Sequence, residues 1–215
     1  MIESKISKKP KVIVILSSWS SGSTAMTGFF DRCGGHSCPP HFQTNDQRTP
    51  TAYENKDYVD ALHKFIDTNS KESLFTQKGD IKKFLEFFEQ WFTSQVMIAR
   101  NIGKQFLVLK HPLQIFVLEE IESYFDPKYI VLTRSLEKIE RTRVRRNWPE
   151  VFGKKGASIL YSEINTYFEK KQKPFFPIEY EQFLTNEKIR KELLAFCELE
   201  ISEEKRKEGE NWLRS

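Results

Sequence analysis

Residues 12–24 read Val-Ile-Val-Ile-Leu-Ser-Ser-Trp-Ser-Ser-Gly-Ser-Thr, and the rest of the chain can be placed around them. The five aliphatic residues Val12 to Leu16 have the length and β-branching of a strand buried on both faces. A turn of small hydroxyl residues follows at once, and Gly22 lets the backbone approach a ligand closely. Ala25, Met26, Gly28, Phe29 and Phe30 then open a helix with an apolar face. Strand, small-residue loop and helix start together make an anion site, because free amides, the helix dipole and several hydroxyls converge on one point. A phosphate is the natural occupant.

The loop also lacks something. A nucleotide-hydrolysing loop reads G-x-x-x-x-G-K-[ST], with a lysine on the β/γ-phosphates. Aligned on Gly22 and Thr24, that lysine is Ser23 and the first glycine is Ser17.

Composition limits the rest. The 215 residues are expected to form a single domain, residues 1–215, with 39% hydrophobic residues and 18 Phe for its core. Charged residues make up 30% of the chain, and mean hydropathy is −0.56. No stretch before the first strand resembles a signal peptide or membrane anchor, so a cytoplasmic location without a membrane span is the expectation. A net charge of +4 suits an anionic ligand but does not demand nucleic acid. Three cysteines, Cys33, Cys38 and Cys197, argue against a disulfide framework. Cys33, His36, Cys38 and His41 crowd into nine residues, a spacing unlike structural zinc patterns, so no metal site is expected.

Downstream, Gly34 to Pro50 reads as a polar surface loop of the functional kind. Tyr53 to Ile66 reads as a helix, and Asp80 to Ile102 as a longer one whose aromatic spacing marks core packing. Gln105 to Leu109 is a second buried strand, ending at Lys110-His111-Pro112, and Leu113 to Tyr124 reads as a helix. Tyr129 to Thr133 is a third strand, followed by Arg134 and a helix to Asn147. Ala157 to Lys170 reads as a helix and Phe175 to Glu179 as a short strand. Two helices, Lys188 to Leu199 and Glu203 to Leu213, close the chain. Strands alternating with helices predict a three-layer α/β/α fold around a central parallel sheet. Ligands in such sheets lie beyond the C-terminal strand ends. This rule gathers the loop, Lys110-His111 and Arg134 at one edge.

These residues carry a family resemblance. Trp19-Ser20-Ser21-Gly22-Ser23-Thr24 resembles the [PW]-[RK]-S-G-[ST]-T loop of the sulfotransferases, which holds the 5′-phosphosulfate of 3′-phosphoadenosine 5′-phosphosulfate (PAPS). Ser20 stands where the family usually has a basic residue. Lys128-Tyr-Ile-Val-Leu-Thr-Arg134, with Thr142 eight residues on, resembles the strand-end Arg and helical Ser that bind the donor's 3′-phosphate. Pro177-Ile-Glu-Tyr180-Glu181 is similar to the family's late "sYEdl" segment, which makes Tyr180 an adenine contact by analogy. The late R-K-G loop is missing or reduced to Arg206-Lys-Glu-Gly209. Lys110-His111 resembles K-x-H-x-P or K-[DH]-P, and Thr49 to Asn55 resembles "n-x-x-G-[YF]-x-E", whose glutamate is the base.

The resemblance implies a P-loop NTPase-like sulfotransferase fold and a sulfotransferase using PAPS as co-substrate, with no metal. Ser20, Ser21, Gly22, Ser23 and Thr24 would then hold the 5′-phosphosulfate, and Arg134 and Thr142 the 3′-phosphate. Lys110 would stabilise transfer, and Glu54 or His111 would be the base, Glu54 ranking first. The acceptor hydroxyl or amine would belong to a small molecule, a lipid or a carbohydrate, in a pocket built from Gly34 to Glu54 and the long aromatic helix. Two alternatives stand beside this reading: a P-loop nucleotide or small-molecule kinase, and a non-catalytic nucleotide or RNA binder using Arg141, Arg143, Arg145 and Arg146.

Overall fold

The computed structural model describes residues 9–44, 50–68 and 74–214. Its elements run β1 (Lys11–Leu16), α1 (Ser23–Arg32), β2 (Gly35–His36), β3 (His41–Gln43), β4 (Thr51–Asn55) and α2 (Lys56–Phe65). Next come β5 (Ile66–Asp67), β6 (Thr76–Gln77), α3 (Ile81–Asn101), β7 (Phe106–Lys110), α4 (Leu118–Ile121) and β8 (Asp126–Thr133). The chain continues through α5 (Leu136–Arg145), α6 (Lys154–Lys171), β9 (Phe175–Glu179), α7 (Tyr180–Thr185), α8 (Glu187–Phe196) and α9 (Glu203–Arg214).

Five strands form one parallel sheet in the order β2-β7-β1-β8-β9. Its central strand explains the three layers. Val12, Val14 and Leu16 face one core with α2, α3, α4 and α6, while Ile13 and Ile15 face a second core with α1, α7 and α8. All five side chains are at most 1% exposed. At about 1.5–3 kcal/mol for each fully buried side chain, this strand alone is a large part of what holds the layers together. The chain runs from β1 toward β2 and β7 on one side, then crosses to β8 and β9 on the other. The loop after β1 therefore lies where the direction of winding reverses, the usual ligand crevice of an open α/β sheet.

Three expectations change in detail. Gly34 to Pro50 is not wholly a surface loop: residues 33–38 are buried, and Gly35 lies so close to Phe106 and the Phe30 carbonyl that a Cβ would sit 2.6 Å from the ring. Beyond it, β3 pairs antiparallel with β4. Tyr53 and Glu54 lie on that strand, and the helix starts only at Lys56, because the Asn55 side chain accepts the Tyr58 amide as an N-cap. Leu113 to Tyr124 is a chain of tight 3-10 turns around the short α4, with apolar residues buried on several sides instead of along one stripe. Among the described residues, no helix is long and apolar enough to cross a membrane.

The last helix closes over the first. Trp212 Nε1 donates to the Ala25 carbonyl at 3.1 Å, Arg32 lies 4.0 Å over the indole, and a Cβ on Gly28 would clash with it. The buried pair Arg190–Glu210 ties α8 to α9, with the guanidinium also donating to the carbonyls of Phe183 and Leu184.

Candidate active site

The loop between β1 and α1 is shaped from within. Ser20 and Gly22 both adopt left-handed backbone conformations, φ 61° and 94°, and the Ser21 hydroxyl donates to the Ser18 carbonyl at 2.7 Å. A Cβ on Gly22 would lie 2.1 Å from the Tyr180 ring, so only glycine fits there. Helix α1 begins with Ala25 and Met26 donating to the Gly22 carbonyl. The amides of Ser23 and Thr24 stand ahead of that first bond, where a helix start leaves donors free. The Ser17 and Ser20 hydroxyls are buried with no protein partner. The Thr24 hydroxyl donates to the Ala52 carbonyl at 3.3 Å.

One flank of the loop is the end of β7. Ile15 is in register with Lys110, which brings that lysine beside the loop despite its distance in sequence. Lys110 Nζ donates to Glu54 Oε1 at 2.5 Å and to the Ala52 carbonyl at 2.9 Å, so β4 is pinned to the sheet edge. The lysine side chain is 2% exposed and the glutamate 16%. Between Ala52 and Glu54, Tyr53 is held at φ 55°, a conformation costly for a non-glycine residue and frequent at functional sites. Burial works to raise the Glu54 carboxyl, but the charge and hydrogen bond of Lys110 hold it below the ordinary carboxylate range.

His111 sits next to this pair but is engaged elsewhere. Its Nδ1 accepts the Leu113 amide at 3.2 Å, capping the turn that Pro112 opens. That bond occupies the ring's lone pair and fixes the neutral tautomer with its proton on Nε2. Burial, more than any neighbouring charge, pushes its pKa down to about 4. The ring meets Trp19 and His63 edge-on, with centroids 6.0 and 5.6 Å away.

The other flank is the end of β8. Arg134 Nη1 donates to the Ser20 carbonyl at 3.0 Å and to the Thr142 hydroxyl at 3.4 Å, and Nε donates to Glu181 Oε1 at 3.2 Å. Its guanidinium carbon lies 4.9 Å from the centre of the Tyr180 ring. Lys138 Nζ reaches the same glutamate oxygen at 2.9 Å. Tyr161 joins loop and strand, accepting the Ser18 hydroxyl at 3.1 Å and the Arg134 amide at 3.2 Å.

The residues that the sulfotransferase resemblance assigns to the site therefore meet at the C-terminal edge of the sheet: Ser20 to Thr24 in the middle, Glu54, Lys110 and His111 on one side, Arg134, Thr142 and Tyr180 on the other. Sequence reasoning missed Tyr161, Lys138, Glu181 and His63. Only Glu181 had a signal, as the residue after Tyr180 in the late motif. Arg206 is held by Glu203 and Glu187 on the α8–α9 side and makes no described contact with the loop. Of the arginine helix, Arg143 bonds Glu140 and the Trp148 carbonyl, and Arg146 lies over Trp148. His36 bonds Gln95 and His41 the Ser37 carbonyl. Among the described residues, no three His, Cys, Asp or Glu side chains gather as metal ligands. A cavity of about 460 Å³ between α2 and α3, lined by Ala61, Phe65, Phe84 and Phe87 among others, takes in the aromatic helix but none of residues 34–54.

No protein-family model and no curated protein matches the chain. Among solved structures, the sulfotransferase domain of the olefin synthase from Synechococcus PCC 7002 superposes with a TM-score of 0.56 at 19% identity, covering 92% of this chain and 77% of that one. The central parallel sheet, the flanking helices and the loop after β1 thus form a sulfotransferase-like α/β/α fold.

Proposed function

We propose that this protein is a sulfotransferase that moves a sulfuryl group from PAPS to an acceptor hydroxyl or amine. The observation that carries the reading is Arg134. Its guanidinium bonds the Ser20 carbonyl of the loop and the helical Thr142 hydroxyl, contacts that support reading it as the cation between the loop pocket and a second anion site. Two sites joined in this way suit a molecule with phosphate at both ends of an adenosine. The fit is supported by the unpartnered Ser17 and Ser20 hydroxyls and the left-handed Gly22, which leave a cradle for a compact oxyanion. When bound, the donor supplies an activated sulfuryl group and a phosphate leaving group.

The protein's part is then to bind, orient and move one proton. Loop amides and hydroxyls hold the 5′ end; Arg134 and Thr142 hold the 3′-phosphate, with Tyr180 alongside. Glu54 takes the acceptor's proton, and His111 is the weaker candidate because its lone pair is committed to Leu113. A carboxylate held down by a lysine is a poor base at first. Once Lys110 turns from Glu54 toward charge building on the transferring group, the burial of Glu54 is unopposed, its proton affinity rises, and deprotonation of the acceptor becomes favourable. The acceptor is a small molecule, lipid or carbohydrate, the working location is cytoplasmic, and neither a metal nor nucleic acid takes part.

Titration calorimetry with 3′-phosphoadenosine 5′-phosphate (PAP) against ATP plus magnesium tests the reading. Preference for PAP, lost in Arg134→Ala, is the expected outcome. Tighter ATP binding favours a kinase and overturns the proposal, as does salt-sensitive RNA binding that Arg145→Ala weakens and Arg134→Ala leaves alone.

A further inference from the structure

Glu181 makes an ion-pair arrangement with too many cations at one end and none at the other. Arg134 Nε and Lys138 Nζ both address Oε1, at 3.2 and 2.9 Å. Oε2 is buried without a hydrogen-bond partner. A carboxylate seated for its own sake would share its two oxygens between two cations, as arginine forks do. Here one oxygen marks a point on which two positive groups converge, and the unsatisfied second oxygen costs part of what the first gains.

We propose that Lys138 is a second cation of the 3′-phosphate site and that Glu181 Oε1 occupies, in the ligand-free protein, the position of a phosphate oxygen. The inference rests on the PAPS reading above and adds to it a residue and an exchange. Lys138 lies one turn before Thr142 on α5, and its carbonyl accepts the Thr142 hydroxyl proton at 2.9 Å, leaving the Thr142 oxygen to face Arg134. Arg134, just before α5, and Lys138 and Thr142, one turn apart on it, thus form a three-point grip. Arg206 is committed to Glu203 and Glu187 and makes no described contact with this cluster. Glu181 is one-third exposed, which leaves it a path to water when a phosphate displaces it. A dianionic phosphate meets both cations with separate oxygens, which a carboxylate in this seat does not.

The exchange gives two variants opposite signs. Lys138→Gln is expected to weaken PAP about tenfold, the value of one charge-assisted hydrogen bond, and to leave 5′-AMP, which has no 3′-phosphate, within about twofold. Glu181→Gln removes the competing carboxylate and is expected to tighten PAP about tenfold while leaving 5′-AMP within about twofold. Binding would be read by calorimetry on the full chain. A folding defect cannot produce a gain for one nucleotide with no change for the other. If the wild-type protein prefers PAP to 5′-AMP and both variants keep its PAP affinity, the Lys138–Glu181 proposal fails while the PAPS reading stands. If the wild-type protein shows no preference for PAP, both fall.

Discussion

Replacing Lys110 by methionine tests the centre of the site without any ligand. The substitution keeps the bulk of the side chain and removes the cation from a pair that is 2.5 Å apart, 2% exposed on the lysine side and 16% on the glutamate side. Losing one partner of a buried pair costs about 3–5 kcal/mol. The loss has a ceiling, because the abandoned carboxyl can take up a proton. From an ordinary glutamate pKa near 4.3, protonation at pH 7 costs about 3.7 kcal/mol, and at pH 5 only about 1 kcal/mol. In the wild-type protein Glu54 is held below its unfolded value, so its contribution is fully present above about pH 4.3 and is lost as pH falls through the folded value. In the variant, burial alone acts and the sign reverses: the carboxyl is harmless in acid and destabilising as pH rises past its unfolded value. The stability difference, measured by urea denaturation at both pH values, should therefore shrink from about 3–4 kcal/mol at pH 7 to about 1 kcal/mol at pH 5. Adding Glu54→Gln should restore most of it, as expected for coupled neighbours. A deficit below about 1 kcal/mol at pH 7, or one equal at both pH values, would refute the account of Glu54 as a carboxylate kept charged by Lys110.

Two further outcomes follow from the loop and the capping histidine. Gly22→Ala places a Cβ 2.1 Å from the Tyr180 ring at φ 94°, so thermal unfolding should show a loss of more than about 2 kcal/mol. Adding Tyr180→Ala should return only the part due to the clash, and full recovery would show that the left-handed backbone is unimportant. The folded pKa of His111, about 4, lies below its ordinary 6.5, so its stabilisation is present above pH 6.5 and falls away toward pH 4, by about 3 kcal/mol. His111→Asn keeps an N-cap and removes that titration, so its stability should fall less on acidification; identical acid profiles would show that His111 is not neutral in the fold. His36 and His63 shift in the same direction and remain in both proteins.

Sequence made the frame legible wherever one residue type has one physical consequence. Val12 to Leu16 cannot be other than doubly buried, and Gly22 beside hydroxyls marks a tight turn. Strand-helix alternation then placed Lys110 and Arg134 at one edge before any contact was known. Contacts across long separations were not legible. Lys138 and Glu181 lie on different elements, and nothing local to either names the other. The left-handed Tyr53 was equally hidden, since no aromatic residue advertises that conformation. Asn55, by contrast, was readable as a cap, and weighing it would have started α2 in the right place. His111 carried two signals at once, being before a proline and beside a lysine. Only the Leu113 hydrogen bond separates the capping role from the catalytic one.

The position of β1 at the middle of the sheet has a consequence for biosynthesis. Its two neighbours are residues 106–110 and 126–133, so β1, which is synthesised before either, waits for both walls of its slot. Closing such large separations is slow, and a long unpaired Val-Ile run is exposed meanwhile. Residues 9–105 by themselves hold the loop after β1 but neither of the strands that pair with β1.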